Sequence, residues 1–315
     1  MDLDSGTLRA FAALAATLHF GRAAETLGIT QQALTKRIQR LESDLGVQLV
    51  DRSDRRSIRL TAAGQDALPA TRDALDAVDR LAHSSGRPAG RIRVDVMGDD
   101  LAATGWVRRA ARAGTLPLDI VDRAADTTAD HLLLTDRADL AFGRAGAVPQ
   151  PWPAGIHRRL LLLEPLAILA PHDHPWAERD ELPLSALAGH TLWFPLAGAP
   201  TEWRGYLDEF ARFAGLTIDP TGSTFGYRQW AEDVTAGLAP PSVIGEAMTP
   251  PDPRMRTVSI IDPTPVFPWS LLWRDGLDES IVAQLVADMG FPPEVTPPRR
   301  GTWMPDADAR LDDLR

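Results

Sequence analysis

The sequence contains no cysteine, a single lysine and only two tyrosines among its 315 residues. The absence of cysteine excludes disulfide bonds, thiol catalysis and thiolate metal sites, and it fits a reducing compartment. No run of residues is apolar and long enough to span a bilayer, since residues 160–170 are interrupted by Glu164 and Pro165. Residues 1–4 lack the basic segment of a signal peptide, so we expect a cytoplasmic protein that does not bind membranes.

The net charge of −10 argues against a general affinity for nucleic acid, but this charge is unevenly distributed. Residues 1–60 hold nine basic and seven acidic side chains, a net charge of +2, which leaves −12 for the rest of the chain. The basic surface is therefore local, and the acidic remainder limits nonspecific adhesion to DNA.

Residues 20–60 have the pattern of a winged helix-turn-helix. A short helix over residues 22–27 is followed by a turn at Gly28, and Thr30 then caps a second helix that runs to about Leu45. Apolar side chains at three- and four-residue spacing form the buried stripe of this second helix: Ala33, Leu34, Ile38, Leu41 and Leu45.

The opposite face of the second helix, and the loop between strand patterns at residues 47–50 and 57–60, carry side chains that suit DNA. Glutamine bonds adenine edges, threonine offers a hydroxyl and a methyl group, and lysine and arginine meet guanine or phosphate. We expect four side chains to read bases: Gln31, Gln32, Thr35 and Lys36. We expect five arginines to hold phosphates: Arg22, Arg37, Arg52, Arg55 and Arg56. Arg40 completes the candidate DNA-binding set.

Residues 3–65 resemble the DNA-binding domain of LysR-type transcriptional regulators. The resemblance is carried by LRAFAALAATLHFGRAAETLGITQQALTKRIQRLESDLGVQLVDR and by the closing LTAAG at residues 60–64. The sequence departs from the usual pattern at His19, where serine is common, at Gln32, where proline or serine is usual, and at Val50, where phenylalanine is usual. Of these, Gln32 would alter the operator preference.

After the wing, residues 61–83 predict one amphipathic helix. From spacing alone, two interpretations remain open: the helix packs on its own domain, or it pairs with a second copy in an antiparallel dimer. The regulators that this chain resembles dimerise through such a linker helix, so the resemblance implies the second interpretation. The candidate dimerisation residues alternate at four- and three-residue steps: Leu68, Thr71, Leu75, Val78 and Ala82.

From residue 91 onwards, strand and helix patterns alternate, which predicts an open, mostly parallel sheet covered by helices. The chain then forms a second α/β unit and returns to the first. The same family has an effector domain similar to periplasmic solute-binding proteins, and three segments resemble it: ADLAFGR at 138–144, LLLLEPLAILAPHDHPWA at 160–177 and TAGLAPPSVIGE at 235–246.

The expected fold is therefore α/β with an N-terminal all-α winged helix-turn-helix, followed by a two-lobed effector domain like a periplasmic binding protein. We expect the DNA-binding domain at 1–60, the linker helix and hinge at 61–90, and the effector domain at 91–290. Within it, lobe 1 comprises about 91–155 plus 267–290 and lobe 2 about 156–266. The Pro-rich residues 291–315 lack periodicity and predict a loosely ordered tail.

Ligands of two-lobed α/β proteins lie at the carboxyl ends of strands. Matching the chain to the family places three segments there, which gives the candidate effector-binding residues: Gly98, Asp99, Asp100, Pro195, Leu196, Ala197, Ser223, Thr224 and Phe225. Asp99 and Asp100 either cap a helix or select a cationic or hydroxyl-rich effector. Four aromatic residues either line the cleft or belong to the core: Trp106, Trp193, Phe194 and Phe225.

The sequence has no Gly-rich phosphate loop, nucleophile elbow or HExxH motif, and the His172-Asp173-His174 loop shows no third metal ligand nearby. We expect no catalytic residue, metal or cofactor. The favoured function is a sequence-specific DNA-binding transcriptional regulator controlled by a small-molecule effector. The alternative is a small-molecule-binding or catalytic protein in which the helix-turn-helix is not the main activity. The expected partners are a double-stranded DNA operator, an effector, a homodimer or homotetramer partner and, as a further candidate, RNA polymerase.

Overall fold

The computed structural model divides into two compact units, Met1–Ala89 and Gly90–Arg315. It describes residues 4–54, 57–84, 90–97, 101–121, 123, 127–195, 201–221, 232–248, 252–292 and 301–309, without the side chains at positions 16, 25, 26, 52–54, 57, 73, 76 and 79–84, which include the site candidates Arg52 and Ala82. Several predicted site residues lie outside the described residues: Arg55, Arg56, Gly98, Asp99, Asp100, Leu196, Ala197, Ser223, Thr224 and Phe225.

The first unit begins with three helices: α1 (Ser5–Thr17), α2 (Phe20–Thr26) and α3 (Gln31–Leu45). Their apolar faces meet in one core, in which Phe11 and Leu14 of α1 contact the buried stripe of α3. The predicted ends of α3 are confirmed. The Thr30 hydroxyl accepts a hydrogen bond from the Ala33 amide, and Gly46 ends the helix with a φ of 69°, which favours glycine.

The wing follows as the antiparallel strands β1 (Val50–Asp54) and β2 (Ser57–Leu60), and α4 (Ala62–Ser84) follows the wing. Glu42 joins α3 to the start of the wing, since its Oε1 accepts hydrogen bonds from the amides of Leu49 and Val50 at 3.0 and 3.1 Å. Thr61 caps α4 as predicted, because its hydroxyl accepts a hydrogen bond from the Gly64 amide. The wing is therefore tied to the helices on both sides.

The second unit starts with the predicted βαβαβ run, which builds lobe 1: β3 (Ile92–Asp95), α5 (Ala102–Ala113), β4 (Leu118–Val121), α6 (Ala129–Leu134) and β5 (Leu140–Gly143). The strands pair in the parallel order β4-β3-β5. Their carboxyl ends thus lie along one edge of the sheet.

Two long strands run through both lobes: β6 (Ile156–Pro171) and β12 (Thr264–Arg274). They are antiparallel to each other, and β12 is also antiparallel to β5, so the sheet is mixed rather than mostly parallel. The sequence predicts two separate segments where β6 is one strand. The expected lobe boundary at residues 266–267 therefore falls inside β12, and the one at residues 155–156 falls at the start of β6, before this strand passes into lobe 2.

Lobe 2 is built around the second half of β6, which pairs with β10 and β11. Its elements are: β7 (Glu181–Pro183), β8 (Thr191–Trp193), α7 (Thr201–Ala214), β9 (Thr217–Asp219), β10 (Ser242–Gly245) and β11 (Met255–Ile261). The parallel strands β8 and β9 flank α7, which places this helix in lobe 2. Residues 232–235 are also helical. Helix α8 (Glu279–Asp288) returns to pack on α5 of lobe 1.

The expectation of a loosely ordered tail is wrong for residues 301–309. They form β13 (Thr302–Trp303), which pairs in parallel with the start of β12, and a short helix α9 (Asp306–Ala309). Periodicity could not reveal these elements because neither is long enough to repeat an amphipathic pattern. Among the described residues, no helix combines the length and the apolar character needed to cross a membrane.

Candidate DNA-binding surface and interlobe site

Helix α3 presents a polar face to solvent. Leu34, Ile38 and Leu41 are buried on one side, and this fixes the opposite side as the exposed one. Side chains on that side are exposed: Gln31, Gln32, Lys36, Gln39 and Arg40. The structure therefore brings most of the predicted base-reading residues together on one continuous face.

The remaining described candidates have local partners that restrict them. The Thr35 hydroxyl donates to the Gln31 carbonyl at 2.9 Å, and its side chain is half-buried. Arg22 is exposed and donates to the Thr17 carbonyl at 2.9 Å. Arg37 is half-buried beside Gly6 of α1, on the flank of the polar face. Arg40 lies 3.8 Å from Asp44 in an exposed ion pair, which contributes little to stability.

The wing adds one basic residue that the sequence reasoning missed. Arg59 on β2 is exposed, whereas its neighbours Ile58 and Leu60 are half-buried against the helical core. The alternation of side chains along a strand could have identified it. Arg52 lies in β1, on the strand paired with β2.

Most of the predicted dimerisation residues of α4 contact their own domain. Leu68 and Leu75 pack against the core of the first unit, and Thr71 is buried with its hydroxyl bonded to the Ala67 carbonyl. Val78 is 41% exposed. The self-packing interpretation therefore accounts for the first three residues, and Val78 remains available to a partner.

In the second unit, a buried ion-pair network joins the two lobes. Arg123 follows β4 of lobe 1 and bonds both Asp95, at the end of β3, and Glu202, in the first turn of α7. All three side chains are at most 2% exposed. Burial lowers the pKa of Arg123, but the carboxylates of Glu202 and Asp95 outweigh it and hold the pKa above its ordinary value. The guanidinium therefore stays charged between two carboxylates.

Glu202 occupies the end of the lobe 1 sheet. Its Oε1 accepts hydrogen bonds from Arg123 at 2.6 Å and from the Ala129 amide at 3.0 Å. A Cβ on Gly143 would lie 3.3 Å from the same oxygen and 3.1 Å from the Ala129 Cβ, so a larger residue there would crowd this carboxylate. We call Asp95, Arg123, Ala129, Gly143 and Glu202 the interlobe site.

Several buried polar atoms without a partner belong to residues that neighbour the interlobe site in the chain or across the sheet. Among the residues that the structure describes, five buried side-chain atoms make no hydrogen bond: Asp130 Oδ1, Arg144 Nε, Glu202 Oε2, Tyr206 Oη and Ser270 Oγ. Arg144 follows Gly143 in the chain, and Ser270 pairs with Gly143 across the sheet. Asp130 follows Ala129, and Tyr206 lies one turn after Glu202. Ordered water, an ion or a polar ligand can satisfy such groups.

Another buried carboxylate lies where β6 passes from lobe 1 to lobe 2. Glu164 of β6 accepts hydrogen bonds from the Trp269 indole nitrogen and from the Ala247 amide, the latter at 3.0 Å. Burial raises the pKa of the Glu164 carboxyl. Sequence reasoning treated Glu164 only as a charge that interrupts an apolar run.

The aromatic residues near the cleft pack mainly with one another. Trp106 is edge-on to Trp269 and to Phe291, at ring centroid distances of 5.2 and 4.8 Å. The Trp193 indole donates to the Thr221 carbonyl at 2.8 Å, and Phe194 packs against Trp203. The core interpretation therefore accounts for the three described aromatic candidates. Pro195 is buried directly after β8.

Comparisons with known proteins agree with this architecture. Residues 6–65 match the bacterial regulatory helix-turn-helix protein family of LysR type, and residues 85–289 match the LysR substrate binding domain. The HTH-type transcriptional regulator IlvR of Caulobacter vibrioides is 32% identical over 290 residues, which cover 86% of this chain and 92% of IlvR.

The HTH-type transcriptional regulator CatR of Pseudomonas putida is 30% identical over 294 residues, which cover 88% of this chain and 94% of CatR. The crystal structure of full-length BenM has a similar fold, with a TM-score of 0.52 and 23% identity over 93% of this chain and all of BenM. The chain therefore belongs to the LysR family, as a helix-turn-helix transcriptional regulator with an effector-binding domain.

Proposed function

We propose that this regulator reads a double-stranded operator with the exposed face of α3. The observation that carries the proposal is the continuous polar face of Gln31, Gln32, Lys36 and Arg40 on a helix whose other side is buried. A helix held in this way enters a major groove, where side chains of these types distinguish base edges.

The roles divide between specificity and affinity. Gln31, Gln32, Thr35 and Lys36 contact base edges. The arginines contact phosphates: Arg22, Arg37, Arg52, Arg55 and Arg56. Arg40 and the exposed Arg59 extend the basic surface along α3 and the wing. Because phosphate contacts release counterions, the affinity falls steeply with salt concentration.

We further propose that a small-molecule effector binds between the lobes and alters DNA binding. The unpartnered atoms around Gly143 support this site, since they include both acceptors, such as Glu202 Oε2, and donors, such as Arg144 Nε. An effector bound there offers hydrogen-bond donors and acceptors together. On the family resemblance, we also assign the segments 97–100, 195–198 and 223–227 to this site.

The same proposal describes a cytoplasmic homodimer or dimer of dimers without catalytic activity or cofactor, in which two recognition helices enter successive major grooves. Effector binding changes the arrangement of the lobes and subunits, and through it the DNA geometry and the contact with RNA polymerase. DNA or an effector shifts the equilibrium between two arrangements only by the difference in its affinity for them.

Fluorescence anisotropy tests the proposal directly. The labelled duplex is taken from the DNA upstream of this protein's own coding region and is titrated with protein in the presence of excess random duplex at physiological salt. We expect binding that survives the competitor and is weaker in the Gln32→Ala variant. The Gln65→Ala variant, changed at an exposed glutamine on α4, is the matched control and binds like the wild type.

Two outcomes contradict the DNA-binding proposal: no binding to any duplex at low salt, and equal binding by the wild type and the Gln32→Ala variant. The effector is then sought with the same complex, by the shift in anisotropy when small polar molecules are added. Glu202→Gln serves as the site variant in that screen. An effector response that Glu202→Gln leaves unchanged refutes the interlobe site and leaves operator recognition standing.

A further inference from the structure

The C-terminal residues 301–309 attach to the second unit at three places. Thr302 and Trp303 extend the edge of β12 as a parallel strand, in register with Thr264 and Pro265. The Thr264 amide also donates to the Gly301 carbonyl at 2.8 Å. The segment is therefore fixed by backbone hydrogen bonds where β12 enters the sheet.

Trp303 attaches the segment to lobe 2. Its ring stacks on Phe213 of α7 at a centroid distance of 4.6 Å and an angle of 11°. It also lies edge-on to Tyr206, at 5.8 Å, and tilted against Phe210, at 5.9 Å. These three residues lie on one face of α7, so a single indole covers two turns of the helix.

Asp308 attaches the same segment to lobe 1. Its Oδ2 accepts a hydrogen bond from Arg144 at 3.0 Å, and its Oδ1 accepts one from the Gly146 amide at 2.8 Å. A Cβ on Gly146 would lie 2.3 Å from Asp308 Oδ1, so the carboxylate sits directly on the chain after β5. Asp308 is 1% exposed.

The two attachments meet through Arg144. This side chain is buried, and its second nitrogen donates to Glu209 of α7 at 3.0 Å. Arg144 also lies over the Tyr206 ring, with its guanidinium carbon 5.8 Å from the centroid. One arginine of lobe 1 therefore holds both α7 and the C-terminal segment, while Glu202 at the start of α7 is held by Arg123.

We propose that residues 301–309 form a latch that holds α7 of lobe 2 against lobe 1, and that the lobes separate only when this latch is released. Trp303 and Asp308 are five positions apart and reach different lobes, so separation must break at least one of the two attachments. The latch contains few residues and no long element, which suits a part that opens locally while the lobes stay folded.

The absence of cysteine allows a direct measurement of lobe separation. Arg112→Cys on α5 of lobe 1 and Glu178→Cys in lobe 2 change two exposed side chains, and spin labels attached there report the distance between the lobes. The full chain is compared with a chain that ends at residue 300. The matched control ends at residue 309 and keeps the whole latch.

We expect a single short distance in the full chain and in the control. The chain ending at residue 300 gains a second, longer distance. A peptide of residues 301–309 added in excess returns the short distance, which separates release of the latch from misfolding. Trp303→Ala in the full chain provides an independent variant that keeps the backbone and lengthens the distance in the same way.

Identical distance distributions in all four proteins would overturn the proposal. A longer distance that the peptide does not reverse, in a chain whose circular dichroism has changed, also contradicts it, because the segment then supports folding instead of lobe closure. Neither DNA nor effector is present, so the result is independent of the proposed function.

Discussion

Gly64 allows α4 to begin directly against the chain that leads into the wing. A Cβ at this position would lie 2.1 Å from the Leu49 carbonyl oxygen, a backbone atom that cannot move aside. We expect Gly64→Ala to destabilise the first unit by about 1–3 kcal/mol, the range for an overpacked site. Urea unfolding followed by circular dichroism measures the loss.

Gly105 on α5 is the matched control for Gly64. Its position is exposed, and no atom would lie within 4 Å of an added Cβ. Gly105→Ala should therefore stabilise the second unit by about 0.5–1 kcal/mol, because alanine loses less backbone entropy in a helix. Equal effects of the two substitutions would show that helix propensity, and not the contact with Leu49, determines the result at Gly64.

Asp308 gives the second unit a defined dependence on pH. Burial raises the pKa of its carboxyl to about 6, although Arg144 and the Gly146 amide oppose the rise. The folded chain therefore binds this proton more tightly than the unfolded chain, in which the pKa is near 3.8. The resulting stability is present below the unfolded pKa and is lost as the pH rises through about 6.

The Asp308→Asn variant isolates this contribution, because asparagine keeps an acceptor but does not titrate. We expect the stability of the wild type relative to the variant to rise by up to about 3 kcal/mol as the pH falls from about 7 to about 4. Denaturant unfolding at several pH values measures this difference. A difference that shrinks as the pH falls would mean that the Arg144 ion pair outweighs burial.

Residue roles that depend on neighbours in sequence could be predicted, and those that depend on distant partners could not. The Thr30 cap and the Gly46 stop act within one turn of their helix, so the sequence contains all that determines them. The partners of Glu42 are seven and eight residues away. Those of Asp308 are more than 160 positions away, and a pattern of spacing does not record them.

At the scale of elements, the proposed DNA-binding surface of α2 and α3 predicts two kinds of variant. We expect Gln32→Ala to lose about 1–3 kcal/mol of discrimination at one base position, without a change in salt dependence, because a base contact releases no counterion. Arg22→Ala should weaken the binding of operator and random DNA alike and lower the slope of log affinity against log salt by about one.

Anisotropy titrations at several salt concentrations, on the operator and on single-base variants, separate these two effects. The two substitutions serve as controls for each other. A lower salt slope for Gln32→Ala, or a loss confined to the operator for Arg22→Ala, would reverse the assigned roles.

Strands were harder to predict than helices because their partners lie far away in sequence. In the sequence, the Glu164-Pro165 pair predicts the end of a strand, yet β6 continues through it. Pro165 stands where β6 exchanges partners: it still pairs with Val266 of β12, and Leu166 already pairs with Gly245 of β10. A proline without an amide hydrogen is tolerated at such an irregular position. Only the assembled sheet shows that β6 continues here from one lobe into the other.

At the scale of the whole molecule, the order of the domains and the two-lobed architecture could be predicted, since alternating patterns and the family resemblance extend along most of the chain. The contacts that close the lobes could not be predicted from the sequence. They depend on Arg123 with Glu202 and on Arg144 with Asp308, pairs formed by single residues from distant parts of the chain. Removing one partner of such a buried pair leaves an uncompensated charge, so these single residues are costly to change.

Assembly of the dimer belongs to the same scale, and Val78 is the residue of α4 that tests it. Leu75 is unsuitable because it packs against the core of its own domain, so a charge there would disturb folding as well as pairing. Val78 and its neighbour Ala77 are both exposed. In an antiparallel helix pair, Val78→Asp places one new charge from each copy in the contact.

We therefore expect Val78→Asp to shift the protein from dimer to monomer in sedimentation velocity runs, with unchanged circular dichroism. The control is Leu134→Asp on α6 of the second unit, where an even more exposed leucine, 57% accessible, receives the same charge. If Leu134→Asp dissociates the dimer and Val78→Asp does not, the copies associate through the second unit.

Because each half of a two-fold operator is read by one copy, the monomeric Val78→Asp variant should bind a single half-site as well as the wild type does. It should lose the gain in affinity that a full operator provides.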